Sequence, residues 1–140
     1  MQQVWLLYPI FAMFLLTAYI SVRMLKLRIR AVKTGEVGVE FFRYCQGQSL
    51  PKALMKTERH FVNLFEFPVL FYAVLLMTYI THQGDYGYLL LAWLYVFTRI
   101  AHAYIHITYN SIRHRKNAFL ISWLILVALW GKLFIDLITA

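Results

Sequence analysis

A chain of 140 residues with 61% hydrophobic and only 14% charged residues is too apolar for a soluble domain, where about a quarter of residues carry charge. Its length implies one domain, and the apolar excess makes the bilayer its solvent. The net charge of +8 is no sign of a nucleic-acid partner, because the basic residues flank hydrophobic runs instead of studding a polar fold with exposed aromatics.

A helix needs ~20 mostly apolar residues to cross a bilayer, and four stretches qualify. The first is predicted over residues 4–24, VWLLYPIFAMFLLTAYISV and beyond, with no charge before Arg23. It lacks the basic start of a cleaved signal peptide, so it reads as a retained helix. A long connection over about residues 26–56 follows, basic and rich in turn formers (GEVG, GQSLP). It contains Cys45, the single cysteine, which rules out an intrachain disulfide. Only the nearness of Arg43 argues for Cys45 as a nucleophile. The second span is predicted over 59–81 and the third over 86–110, joined by the tight turn THQGDYG. After the basic turn SIRHRKN, the fourth covers 118–138.

Lys and Arg cluster in the first connection and the third, and are missing from THQGDYG. Loops rich in these residues stay in the cytoplasm, so both termini are expected to face outward and the long loop the cytosol. The predicted fold class is an all-α integral membrane protein, a four-transmembrane-helix bundle in one domain over 1–140.

Polar residues inside the spans carry the functional signal. Arg59, Asn63 and Glu66 recur at i, i+4 and i+7, on one helical face. Arg99, His102 and His106 recur at i, i+3 and i+7 on the antiparallel third span, with Tyr109 extending the stripe. Both stripes fall in the same half of the membrane, where an ionisable group facing lipid costs at least ~2.5 kcal/mol. They therefore face each other, either as a dry Glu66–Arg99 pair locking two helices or across a wet chamber. His102 and His106, with Glu66, have the residue types of a metal site. His60 and His114 are expected nearer the membrane surface, leaving no third nitrogen ligand, so no metal is expected. Arg28, Arg30, Arg59, Arg113 and Arg115 gather at the mouth of the chamber. They act there as an orientation signal and phospholipid contacts, or as forks for a small polyanion.

The run RHFVNLFEFPVLF, followed by RIAHAYIHITYNSIRHR, resembles the MAPEG family, the membrane-associated proteins of eicosanoid and glutathione metabolism, and most of all its small bacterial members. The similarity covers the whole chain, including the long basic first loop and the polar second helix. The resemblance implies a homotrimer in a bacterial inner membrane, with membrane lipids around it and glutathione bound as co-substrate in the cytosolic half between subunits. It implies that Arg59, Asn63 and Glu66 hold glutathione, joined by Arg28 or Arg30 from the first helix. Arg99, His102 and His106 stand where prostaglandin E synthases have Arg-x2-His-x3-Tyr, and Tyr109 extends that set of contacts. Arg115, with Arg113 as second choice, takes the catalytic place beside the glutathione thiolate. Two departures are visible: His106 replaces the synthase tyrosine, and Pro68 follows Glu66 more closely than in the eicosanoid enzymes.

The implied function is that of a glutathione-dependent transferase or peroxidase acting on a lipophilic electrophile. The alternative is a non-catalytic membrane protein binding lipid or another hydrophobic ligand, because the family's fold also serves such a member. A small transporter fits less well: four short spans offer no pair of broken helices, and the polar stripes stay in one half of the membrane.

Overall fold

The computed structural model describes residues 2–44 and 50–139; Cys45 lies outside them. Six helices follow in order: α1 (Leu7–Lys33, entered through a 3-10 turn over Gln3–Leu6), α2 (Val39–Tyr44), α3 (Lys52–Asn63), α4 (Phe67–Ile80), α5 (Tyr86–Ile107) and α6 (Ile112–Thr139). Among the described residues, four units are long and apolar enough to cross a membrane: Gln3–Lys33, Lys52–Ile80, Tyr86–Ile107 and Ile112–Thr139. This all-helical bundle is that of an integral membrane protein.

α1 runs on through a segment expected to be loop and ends at Lys33, while α3 begins at Lys52, so the connection is shorter than the sequence suggests. Basic residues are good helix formers, and Arg30 and Lys33 in the last turn complement the negative end of the helix dipole. Gly35, at φ 70°, then stops the helix in the left-handed conformation that glycine adopts without strain.

The second span is not continuous. Leu64–Glu66 form an irregular turn between α3 and α4, with Glu66 at φ −95°, ψ −99°. Pro68 causes the break. It has no N–H, and in an unbroken helix its ring would strike the carbonyl of Leu64; placed in the first turn of α4, it is tolerated. The sequence-based span over 59–81 is thus two helices with a corner at Glu66.

The bundle core takes one stripe from each long helix: Leu6, Met13 and Ile20 at its first edge, Phe71, Val74 and Leu75 on α4, Tyr88, Ala92, Tyr95 and Val96 on α5, and Leu126, Leu129 and Leu133 on α6. Phe71 and Tyr95 stack with ring centroids 4.3 Å apart. The opposite faces are also apolar, with Phe11, Leu15, Phe97, Leu124 and Phe134 all exposed. Helices apolar all round belong in lipid, where tight van der Waals packing, not water exclusion, holds them together. α5 packs most extensively on α6 and also meets α1 and α3, so it presents polar residues to several neighbours at once.

Candidate functional site

At the basic end of the bundle, α3, α5 and α6 enclose an open cavity of about 400 Å³, within the ~300–1,000 Å³ range of small-molecule sites. Arg59, Asn63 and Glu66 line one wall, His102 and His106 the second, and Arg115, Lys116 and Phe119 the third. A smaller recess of about 140 Å³ shares Arg59, His106 and Arg115 and adds Lys52, Lys56 and Asn110. Across the two, Lys52, Lys56, Arg59, Arg115 and Lys116 face a single carboxylate, Glu66. Such a lining is complementary in charge to an anion that also carries one cationic group.

Arg99 sits behind the wall and not in it. Its side chain is completely buried, and Nη2 donates to the Asn63 Oδ1 at 2.5 Å. The Asn63 amide in turn donates to Glu66 Oε2 at 3.1 Å. Glu66 and Arg99 are therefore joined through Asn63, not paired directly, and the helix corner leaves Glu66 exposed at the cavity edge. An amide is the right intermediary, since it accepts from a guanidinium at one atom and donates to a carboxylate at the other.

Arg115 is held from both sides. Its Nη1 donates to Asn110 Oδ1 at 2.9 Å and lies 3.5 Å from His106 Nε2. Its backbone carbonyl is 3.1 Å from His102 Nδ1. Asn110 takes up this post because it closes the turn after α5 in the left-handed conformation, φ 53°, which asparagine tolerates better than most residues. Lys56 fastens the same corner by donating to the Thr108 carbonyl at 2.9 Å.

His60 departs from expectation. It is fully buried, with its ring 5.5 Å from that of His102 and 5.1 Å from that of His106. It lies on the inward face of α3 with Leu54 and Thr57, beside the two imidazoles of α5 from which the sequence reading kept it apart. Among the described residues no group of three or more histidines, cysteines or carboxylates is placed to hold a metal ion.

A sequence model of the MAPEG family matches residues 6–135. The chain belongs to the MAPEG family. Its members are glutathione-related membrane enzymes. No curated protein matches the chain.

Of the residues that the MAPEG resemblance singles out, Arg59, Asn63, Glu66, His102, His106 and Arg115 come together in the cavity, with Arg99 one layer behind. The other four lie apart from it. Arg28 is bound to Glu58 at 2.7 Å, tying α1 to α3, and covers the Phe42 ring. Arg30 lines a separate cleft with Glu36 and Leu54. Arg113 is exposed, and Tyr109 is exposed and bonded to His114 at 3.1 Å. Arg113 is two residues, roughly half a helical turn, from Arg115, so α6 turns Arg115 inward and Arg113 away. Sequence reasoning missed His60, Asn110, Lys56 and Lys116. A histidine spaced with Leu54, Thr57 and Leu64 on one face is a readable signal for His60. Asn in the turn YNS is one for Asn110.

Proposed function

We propose that this MAPEG protein is a glutathione-dependent transferase or peroxidase acting on a lipophilic electrophile. The observation that carries the reading is the cavity itself, five cations against the single carboxylate Glu66, between helices long and apolar enough to cross a membrane. Glutathione has the complementary charges: two carboxylates, one ammonium and a thiol that reacts as an anion. Arg59, Lys56 and Lys116 take its carboxylates and Glu66, oriented by Asn63, takes its ammonium. Arg115 stands beside the sulfur. A fixed cation there favours thiolate over thiol, and the activated sulfur meets a membrane-dissolved substrate without a search through solution. Arg113 points elsewhere, so Arg115 is the catalytic cation. His102 and His106 complete the wall where the synthases have a histidine and a tyrosine.

The same reading puts the basic end in the cytosol and both termini outside, following the distribution of Lys and Arg. MAPEG proteins are commonly trimeric, and a trimer would close the cavity at exposed Val62 and Ile112. Arg28 and Arg30, outside the cavity of their own chain, would then serve a neighbour's.

The deciding experiment mixes purified protein with glutathione and follows the ultraviolet absorbance of the thiolate. Wild type should show the band and Arg115→Ala should lose it, while Arg113→Ala keeps it. Binding without any band, or no binding, would replace this reading with that of a hydrophobic-ligand binder.

A further inference from the structure

His60 has no place in the site as drawn so far, yet its burial needs a reason. Enclosing an imidazole costs more than enclosing a phenyl ring unless its nitrogens are used. Among the described residues neither His60 nitrogen has a hydrogen-bond partner, nor does His106 Nδ1.

The neighbouring contacts fix where the ring protons are. A backbone carbonyl only accepts and a guanidinium only donates. His102 Nδ1, facing the Arg115 carbonyl, therefore carries the proton of that ring. His106 Nε2, facing the Arg115 guanidinium, is a lone pair, and His106 Nδ1 carries the proton. The cavity wall thus presents a basic nitrogen beside Arg115. His60 is the nearer of the two imidazoles next to His106, at 5.1 Å against 5.8 Å for His102.

Cations surround the three rings. Arg115 Nη1 lies 3.5 Å from His106 Nε2, Arg59, Arg115 and Lys116 line the cavity with His102 and His106, and Lys56 lines the adjoining recess with His106. Glu66, the carboxylate among the described residues of the cavity lining, is hydrogen-bonded to Asn63, which is bonded in turn to Arg99. An anion settled against Arg115 neutralises the cation that faces His106 Nε2, and a proton on that ring then costs less.

We infer that His106 accepts the thiol proton of glutathione, and that His60 is a positioning residue that shares the resulting charge. The inference rests on the glutathione reading above. In the step Arg115 turns its hydrogen bond from His106 Nε2 to the sulfur. The S–H bond breaks, its electron pair stays on sulfur as the thiolate facing Arg115, and a new N–H bond forms on the freed Nε2 lone pair. Nothing is oxidised or reduced. A small ring rotation lets the imidazolium donate from Nδ1 to a His60 nitrogen, which draws positive charge away from Arg115. Thiolate forms with its proton retained in the protein.

The test is a proton count. Full-length protein in weakly buffered detergent, with a pH indicator present, is mixed with glutathione while thiolate absorbance is recorded. S-methylglutathione, which cannot ionise at sulfur, serves as the control for binding and folding. Wild type should release less than about half a proton per thiolate, and His106→Gln and His60→Phe should move the count toward about one. In the variants the thiolate to thiol ratio should climb ~10-fold per pH unit, against a nearly flat profile in wild type. If His60→Phe does not bind S-methylglutathione, His60→Gln gives the same readout with a polar side chain. Absence of thiolate in wild type would overturn the functional reading itself. A full proton released by wild type would overturn only this inference, as would a partial release that persists in both variants.

Discussion

At the turn between α4 and α5, Lys132 lies 2.8 Å from Asp85 and 3.0 Å from Asp136, and Tyr88 donates to Asp136 at 2.7 Å. Asp85 also caps α5 by accepting from the Tyr88 N–H at 3.0 Å. At the other end of the bundle, Arg99 is fully enclosed with Nε and Nη1 unbonded, close to a His60 whose ring nitrogens are both unbonded. The first group satisfies itself and ties the start of α5 to the end of α6. The second leaves donors and cations in excess and encloses a cavity. Polar groups in a membrane bundle can serve as a clasp or as a receptor, and what separates the two uses is whether their hydrogen bonds close among themselves.

Substitutions should divide along the same line. Arg115→Ala gives the largest effect expected, a loss of ~10²–10³-fold in turnover with glutathione and a lipophilic electrophile, with the unfolding midpoint nearly unchanged. Asn63→Leu comes next. It strips the buried guanidinium of its side-chain partner and should cost about 3 kcal/mol of stability, measured by unfolding in detergent, with weaker glutathione binding beside it. Tyr88→Phe removes one bond from the clasp and should cost about 1–2 kcal/mol while glutathione affinity stays at the wild-type level. An affinity change in Tyr88→Phe would mean that the two ends are coupled.

The smallest effect is a pH dependence at the clasp. Burial pushes the Asp85 carboxyl up, but hydrogen bonds from Lys132 and from the Tyr88 and Gly87 N–H groups outweigh it and hold it below the usual range. A carboxyl held low in the folded state stabilises above its unfolded pKa of ~3.9, and that contribution disappears as pH falls through the folded value. The difference in unfolding midpoint between wild type and Asp85→Asn should therefore be present near pH ~7 and shrink below pH ~4. A constant difference would show that Asp85 acts by shape alone.

The apolar runs announce the membrane helices, because run length is set directly by bilayer thickness. The corner at Leu64–Glu66 was half legible: Pro68 marks a disturbance, but only packing decides whether a helix kinks or divides. The stripes Arg59–Asn63–Glu66 and Arg99–His102–His106 converge as their periodicity implies, although Arg99 lies behind Asn63 instead of pairing with Glu66. Arg28 could not be placed from spacing, since Glu58, which captures it, lies across a connection of unknown path. His60 was hidden because the polar stripe beginning at Arg59 draws attention to the adjacent face of α3.

Arg115 is tethered by its carbonyl at one end and its guanidinium at the other, so its charge is in position before any ligand arrives. A lysine there would keep the sign but lose the planar guanidinium whose Nη1 holds Asn110, turning a stationary charge into a roaming one. Of all exchanges at this position, the one that looks mildest on paper should therefore cost catalysis dearly while leaving the bundle undisturbed.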